Sequence, residues 1–326
     1  MENIKMPWYL KQTSGEIIEK FRYIQRQEDL RLRDATLNPL DSRWSLGVSV
    51  SEENDDRNRY VNIMPYEKNR VKLNVEGGND YINASYVKVF VPEQSLTPGH
   101  YIATQGPTKN TWQQFWQMCY QQCPEDNIVI VMVTPLQEGG REKCYKYWPR
   151  NESETLSVPR TQSSGEFEKD CSEFKIDLEV FFERSEREND YTLSFLKLKP
   201  LDSAFPTKTV HHFYFDQWSD MSKPDEIVPI LKLSNHCHVL NSPPNPIIVH
   251  CSAGVGRTGT FITLDHLIHN TIDFCENDPL TNYKHDLIEQ IVLQLRSQRL
   301  RMVQMSDQYL FVYHAAKHAF SMKRVK

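Results

Sequence analysis

Residues 250–259 read HCSAGVGRTG, so that one cysteine and one arginine flank five small or flexible residues. The apolar run just before them, in NPIIVH at 245–250, predicts a short buried strand. After Arg257 the apolar residues recur at helical spacing, beginning with Phe261 and Leu264. A glycine-rich loop between a strand and a helix directs successive backbone N–H groups to one point, near the positive end of the helix dipole. The stretch therefore predicts an anion-binding loop.

The two reactive side chains of the loop suggest what it does with an anion. Cys251 lies at the floor of the predicted site, where the same field favours its nucleophilic thiolate form. Arg257 presents a planar fork that can hold two oxygens of a phosphate-like dianion. A side chain at Gly254 or Gly256 would keep the backbone away from the anion. The spacing predicts an oxyanion cradle around a nucleophile; the alternative is a structural glycine-rich turn with an incidental cysteine and arginine.

The rest of the chain mixes strands and helices without strict βαβ alternation. Strand patterns are found in NIVIVMVTP (127–135), YTLSF (191–195) and KTVHHFYF (208–215). Helical spacing of apolar residues is found at 16–33, 286–299 and 307–320. The order predicts an α+β fold, one domain over residues 1–326 with a twisted mixed β-sheet flanked by helices and a helical extension at about 1–50.

One segment, about 151–190, is more polar than its surroundings. It contains 12 Asp and Glu residues against 5 Lys and Arg residues. We interpret it as an acidic surface insertion with some strand in it, not as a linker between domains.

Composition limits the partners and the location of the chain. The 326 residues carry a net charge of -5, which argues against bulk binding to nucleic acid or an anionic membrane. The longest apolar run, Ile128 to Val133, is far short of the roughly 20 residues that cross a bilayer. The seven cysteines lack CxxC spacing, which predicts reduced thiols and no zinc site. We expect a cytoplasmic protein without nucleic-acid or membrane partners, and a monomer.

Several stretches of the chain together resemble a known protein family. HCSAGVGRTG resembles the His-Cys-x5-Arg-Ser/Thr-Gly signature of the protein-tyrosine phosphatases. Seven further stretches resemble family blocks in the family's order, from about Arg59 to about Phe311: NRYVNIMPYEKNRVKL, NDYINASYV, YIATQGP, TWQQFWQM, REKCYKYWP, HHFYF and MVQMSDQY. VHHFYFDQW and DLIEQIVLQLRSQR are most similar to the fungal, budding-yeast-like cytosolic non-receptor enzymes. The resemblance implies hydrolysis of phosphotyrosine in proteins through a cysteinyl-phosphate, with no metal and no cofactor.

The resemblance also implies roles for five catalytic residues. Cys251 matches the nucleophile, and Arg257 matches the arginine that holds the phosphoryl oxygens in a loose transition state. Thr258 matches a hydroxyl that helps the thiolate to leave in the second step. His250 would help to keep the cysteine ionised, although a histidine at such a position is also commonly structural. Asp220 matches the general acid that protonates the departing tyrosyl oxygen.

The loop that holds Asp220 departs from the family's pattern. The family reads Trp-Pro-Asp-x-Gly, whereas residues 218–222 read Trp-Ser-Asp-Met-Ser. Proline stiffens a loop and glycine admits unusual backbone angles, so their loss predicts altered closure of this loop and altered turnover. Asp216 and Asp225 in the same stretch are interpreted as solvated loop residues.

Other residues match substrate-binding and water-binding positions of the family. Tyr60 matches the tyrosine that stacks on the substrate ring, and Asn62 matches a rim position that contacts the substrate backbone. Gln304 and Gln308 match a pair that orients the hydrolytic water. Without the resemblance, Tyr60 would be a core aromatic residue and the two glutamines a polar helix face.

The remaining matches surround the anion. Glu138 matches a carboxylate that positions the signature arginine, and Lys143 matches a lysine that contacts the acid loop; by themselves both would be exposed charges. The backbone of the loop is expected to bind the phosphate through Ser252, Ala253, Gly254, Val255 and Gly256.

Three other functions are alternatives to the hydrolysis of phosphotyrosine. A phosphotyrosine-binding pseudophosphatase would explain the altered acid loop, but Cys251, Arg257, Asp220 and Gln304 are all intact. A dual-specificity phosphatase or a sulfurtransferase would lack the NRY block and the paired glutamines. A metallophosphatase needs clustered His and Asp ligands, which the sequence does not display at ligand spacing.

Overall fold

A computed structural model describes residues 6–163, 171–218, 227–277, 279 and 283–323. The helices are α1 Ser14–Leu37, α2 Trp112–Gln122, α3 Ile227–Leu240, α4 Gly256–Asn270, α5 Ile272–Cys275, α6 Leu287–Arg296 and α7 Ser306–Met322. Short 3₁₀ helices lie at Trp8–Lys11, Glu52–Arg57 and Glu67–Asn69. The strands are β1 Arg70–Lys72, β2 Gly77–Gly78, β3 Tyr81–Val89, β4 Gly99–Thr104, β5 Asn127–Met132, β6 Gln137–Glu138, β7 Arg141–Glu142, β8 Thr155–Val158, β9 Thr161–Ser163, β10 Cys171–Glu173, β11 Leu178–Arg187, β12 Thr192–Pro200, β13 Lys208–Tyr214 and β14 Ile247–His250.

The strand that ends at His250 lies inside a large mixed sheet. In the described part of the chain, nine strands pair in the order β1-β3-β4-β14-β5-β13-β12-β11-β8. β14 is parallel to both of its neighbours, with Val249 opposite Ala103 of β4 and Val131 of β5. β13 continues the parallel part, and the outer strands are antiparallel. The cysteine therefore follows the carboxyl end of a central parallel strand, which is where open α/β sheets bind ligands.

Helices cover both faces of the sheet and enclose two apolar cores. One core combines β-strand residues with apolar residues of α1, α3, α4, α6 and α7. The other lies under α2 and includes Trp116, Tyr147 and Trp148. α4 buries Gly256 and every residue from Thr258 to Leu267, so it is the central helix of the first core.

The first long helix is an integral part of this first core. A capping box starts α1, since the Thr13 hydroxyl accepts the Glu16 N–H and the Glu16 carboxylate accepts the Thr13 N–H. The helix then buries Ile17, Phe21 and Ile24. The ring of Phe21 lies 5.5 Å from that of Tyr309 on α7. α1 thus packs against α7 and stabilises it.

The α+β fold with a mixed sheet flanked by helices is confirmed, as are the predicted strands at β5, β12, β13 and β14. The interpretation of 151–190 as a surface insertion is only partly right. β8 and β11 form one edge of the main sheet, and Val158, Leu178 and Val180 are buried. Most of the charged residues of this segment that the structure describes lie at exposed positions. A count of charges therefore does not reveal the apolar residues that alternate with them and face the core.

None of the helices in the described residues is both long enough and apolar enough to cross a membrane.

Candidate active site

The loop after β14 is held open by hydrogen bonds to its carbonyl groups. Five successive carbonyls, those of residues 251–255, each accept a hydrogen bond from outside the loop. The donors are His250 Nδ1, Gly106 N, Arg299 Nη2, Arg299 Nε and Val303 N, in that order, at 2.8–3.1 Å. In a trans peptide the N–H points away from the C=O. The amides of the loop consequently point to the concave side.

The Cys251 thiol lies on that concave side. Gly254 N donates to Cys251 Sγ at 3.2 Å, and the cysteine is 5% exposed. Gly254 has a φ of +73°, and a Cβ there would lie 2.1 Å from the carbonyl oxygen of Thr104. Only glycine fits this position, because both the backbone angle and the close approach exclude a side chain.

Arg299 is a site residue that the sequence analysis missed. It is fully buried, and besides the two loop carbonyls it donates to Ser85 Oγ at 3.1 Å and Asn83 Oδ1 at 2.8 Å. Burial lowers its pKa to about 10, so the guanidinium remains charged at neutral pH. It places a buried positive charge directly behind the loop. In the sequence it is one of several arginines after α6, and nothing local distinguishes it.

A two-strand hairpin fixes the orientation of Arg257. Arg257 Nη2 donates to Glu138 Oε1 at 2.7 Å. Glu138 ends β6, and Gly139 and Gly140, both at positive φ, form the tight turn to β7. Lys143 Nζ lies 4.0 Å from Glu138 Oε2. The predicted contact between Glu138 and the signature arginine is therefore present in the structure.

A cavity of about 350 Å³ opens above the thiol. It brings together most of the residues that the resemblance suggested: Tyr60, Asn62, Glu138, Lys143, Cys251, Ser252, Ala253, Gly256, Arg257, Gln304 and Gln308. Ile63 and Thr134, which were not foreseen, also line it. The Tyr60 hydroxyl lies 2.7 Å from Ser252 Oγ, so this ring forms a wall joined to the loop.

His250 supports the loop through a hydrogen bond from its ring to the backbone carbonyl of Cys251. Burial lowers the pKa of His250 to about 4, so the ring is neutral at pH 7. Nδ1 must carry the proton, since it donates to the Cys251 carbonyl at 2.9 Å. Nε2 then accepts from the Tyr147 hydroxyl at 2.7 Å. The expectation that His250 helps to keep the cysteine ionised stays a prediction: the neutral ring reaches the cysteine through its hydrogen bond to the Cys251 carbonyl and not through a positive charge.

The Tyr147 hydroxyl links two buried histidines. It lies 2.7 Å from His212 Nε2 as well as from His250 Nε2. Since its single proton is donated to His250, its oxygen accepts the Nε2 proton of His212. Burial lowers the pKa of His212 well below its usual value, in agreement with a neutral ring. The chain His212–Tyr147–His250 connects β13 to the catalytic loop.

The two glutamines do not form one helix face. Gln304 precedes α7, whereas Gln308 lies in its first turn and accepts the Met305 N–H at 3.1 Å. A Cβ on Gly256 would lie 2.9 Å from Gln308 Nε2, so the glycine makes room for this amide. Both amides reach the cavity. The Thr258 hydroxyl is buried and makes no hydrogen bond within the described residues, and none to Cys251.

Asp220, the expected general acid, lies outside the described residues, as do Ser219 and Asp225. Trp218, just before them, is buried, with its ring 6.3 Å from that of Phe311 on α7. Asp216 differs from the expectation of a solvated residue. It is half-buried, and its Oδ1 has no hydrogen-bond partner in the described part of the chain.

This geometry, a thiol under an amide-lined loop with an anchored arginine, agrees with what comparison with known proteins finds. The sequence profile described as "Protein-tyrosine phosphatase" matches residues 54–318, most of the chain. The chain belongs to the protein-tyrosine phosphatase family and is a hydrolase of phosphotyrosine in proteins. The resemblance stated in the sequence analysis is thus confirmed.

Three relatives show how far the similarity extends. The chain is 59% identical to Tyrosine-protein phosphatase 1 of Saccharomyces cerevisiae, over 97% of this chain and 98% of the relative. It is 34% identical to Tyrosine-protein phosphatase 2 of Schizosaccharomyces pombe, over 92% of this chain and 38% of that protein. It is 36% identical to human Receptor-type tyrosine-protein phosphatase C, over 84% of this chain and 19% of that protein.

Proposed function

We propose that Cys251 is the nucleophile of this phosphatase and that phosphotyrosyl proteins are its substrates. The observation that carries the proposal is the position of the thiol. It accepts an amide hydrogen bond at the floor of a cavity whose rim holds Arg257, and Arg257 is itself fixed by Glu138. A phosphoryl group seated on the loop amides would meet the sulfur from above.

In the first step the Cys251 sulfur attacks phosphorus, the S–P bond forms and the bond to the tyrosyl oxygen breaks. Asp220 gives its proton to that departing oxygen. Arg257 and the loop amides stabilise the charge that spreads over the three equatorial oxygens. The Tyr60 ring stacks against the substrate ring, and Asn62 contacts the substrate backbone at the rim.

In the second step a water molecule attacks phosphorus and the S–P bond breaks, which releases inorganic phosphate and restores the thiolate. Gln304 and Gln308 orient the water, since both amides reach the cavity. Asp220, now a carboxylate, takes the proton from the water by microscopic reversibility. The Thr258 hydroxyl, which is without a partner in the described residues, is available to donate to the leaving sulfur.

Release of phosphate from matched peptides tests these assignments. Wild type, Cys251→Ser and Asp220→Ala are compared on a phosphotyrosyl peptide and its phosphoseryl twin, in chelator and reductant. We expect release from phosphotyrosine only, complete loss in Cys251→Ser and at least a hundredfold fall in kcat in Asp220→Ala. An Asp220→Ala enzyme with unchanged kcat and pH profile would reject the acid. Binding of the phosphotyrosyl peptide by wild type without release would indicate a pseudophosphatase.

We also propose that the protein acts as a monomer in the cytoplasm and that residues 1–326 form one catalytic domain. Free thiols at all seven cysteines suit a reducing compartment. The contacts of α1 with α7 support a single folding unit. Fractionation of cells and light scattering of the purified chain test location and oligomeric state; recovery in a membrane pellet, or a dimer mass, would contradict the proposal.

A further inference from the structure

A second cluster of ionisable side chains lies on α3 and α4, outside the catalytic cavity. The rings of His238 and His269 stack, with centroids 3.8 Å apart and planes 25° apart. His238 Nε2 lies 2.9 Å and 3.0 Å from the two carboxylate oxygens of Asp265. One donor atom from each of the three residues lies within 4.8 Å of the other two.

The carboxylate of this cluster is fixed from behind. Asp265 is fully buried and accepts hydrogen bonds from the Tyr101 hydroxyl and the Ser234 hydroxyl, both at 2.6 Å. Ser234 Oγ also lies 3.1 Å from His269 Nε2. Such supporting bonds hold a ligand in place, as the outer partners of metal ligands commonly do.

The donor set matches what zinc and related ions bind. Two imidazole nitrogens and one carboxylate oxygen are typical zinc ligands, with bonds of roughly 2.0–2.2 Å. Asp265 and His269 are four residues apart on α4 and therefore lie on the same helix face. The His238 side chain is 33% exposed, which leaves an entry path and a fourth position for water.

From this geometry we propose that His238, Asp265 and His269 form a binding site for one divalent transition-metal ion of the zinc class. The ion takes the place of the hydrogen bond between His238 Nε2 and Asp265, the proton of that bond leaves to solvent, and the ion joins α3 to α4. The donor atoms of a tetrahedral zinc site are about 3.4 Å apart. Small rotations of the two half-buried histidine rings would bring the donor atoms of the three residues to that distance from one another.

The site is separate from the catalytic thiol. Asp265 lies eight residues after Arg257 on the same helix, which corresponds to about 12 Å along the axis at 1.5 Å per residue. Zinc would also bind a reactive thiolate directly, so inhibition of turnover by zinc does not test the proposal.

Metal binding is measured on the Cys251→Ser protein, after metal removal, by calorimetric titration with Zn²⁺ and by the visible absorption of bound Co²⁺. We expect one tight equivalent, the intense spectrum of a four-coordinate Co²⁺ site, and a rise in Tm with Zn²⁺. His269→Gln and His238→Gln, on different helices, should each weaken binding at least tenfold while circular dichroism remains that of the parent.

The matched control is a pair of histidines that lies outside the proposed site. His314 and His318 are exposed and four residues apart on α7. The His314→Gln/His318→Gln protein should bind Zn²⁺ as tightly as its parent. Loss of the tight equivalent in that control, or its retention in both single variants, would overturn the assignment, and so would the absence of any tight equivalent.

Discussion

We expect Glu138 to influence the bound phosphoryl group through another side chain, that of Arg257. Its carboxylate is 37% exposed and accepts from Arg257 at 2.7 Å. Since a planar guanidinium binds two phosphate oxygens only in one orientation, the carboxylate determines whether Arg257 is ready for the transition state.

Glu138→Gln should therefore lower kcat/KM about tenfold, equivalent to about 1.4 kcal/mol of transition-state stabilisation. The Tm should change little, because the hairpin is on the surface. Steady-state assays on a phosphotyrosyl peptide measure the effect. Glu142→Gln, on the other strand of the hairpin, is the control: its carboxylate contacts Arg59 at 3.5 Å and not Arg257. Equal losses of kcat/KM in both variants would show that the effect comes from the hairpin as a whole and not from the pair of Glu138 and Arg257.

Arg299 is a single residue whose contact with the loop cannot be predicted from the local sequence. HCSAGVGRTG predicted the loop, its nucleophile and Arg257, because these residues are neighbours in sequence and act together. Arg299 binds the loop across 45 or more residues, and its value depends on Asn83 and Ser85 from another strand. The neutral state of His250 is likewise not visible in the sequence, because it depends on burial and on the hydrogen bond with Tyr147.

Among the secondary-structure elements, α1 is linked to the loop after β14 by a series of three contacts that runs through Arg296 and Val303. Glu28, 4% exposed, accepts from Arg296 Nη1 at 3.1 Å and from the Arg301 N–H at 2.9 Å. Arg296 in turn donates to the carbonyls of Met302 and Val303. The Val303 N–H holds the Val255 carbonyl at 3.0 Å. A carboxylate on α1 thus positions the segment that supports the catalytic loop.

Glu28→Gln should reduce the free energy of unfolding by about 3 kcal/mol, because it leaves a buried guanidinium without its counter-charge. We also expect a lower kcat with KM little changed, since the loop is less well held. Urea unfolding and steady-state kinetics measure the two effects. Glu19→Gln on the same helix removes only an exposed pair with Arg22 and should change stability by less than about 0.5 kcal/mol. A Glu28→Gln protein as stable as this control would reject the argument.

The elements themselves were largely predictable, and the exception is instructive. Buried strands such as β5 and β14 are continuous apolar runs, so the period and length of the pattern identify them. β11 carries its apolar residues in its first half, where Leu178 and Val180 are buried and Phe181 and Phe182 are half-buried, and mostly charged residues beyond them. Its place in the sheet depends on pairing with β12, which composition alone does not show.

For the molecule as a whole, four buried histidines and the half-buried His269 make stability depend on pH. Burial lowers the pKa of His211, His250, His266 and His269 to about 4, and that of His212 further. An unfolded histidine titrates near 6.5, so between pH 6.5 and 4 the unfolded chain takes up protons that the folded chain refuses. His238 opposes this, because despite its burial its bond to Asp265 raises its pKa.

The free energy of unfolding should therefore fall as the pH drops below 6.5, with a limiting slope of about 1.4 kcal/mol per pH unit for each fully buried histidine such as His212 or His250. Urea midpoints at pH 7.5, 6.5 and 5.5 measure the slope. His314→Asn, at an exposed position, should leave it unchanged. A midpoint that is flat across this range would contradict the assigned neutral states.

The long-range support of the catalytic loop has a consequence for biosynthesis. During translation the ribosome produces Cys251 and its loop before Arg299, Val303 and Gln308. Until those later residues have emerged and docked, the nascent cysteine has neither the guanidinium behind its loop nor the Gln308 amide that lines the cavity. An unfinished chain therefore lacks these supports of the loop, and we expect phosphatase activity only when the chain has been made past α6 and the start of α7.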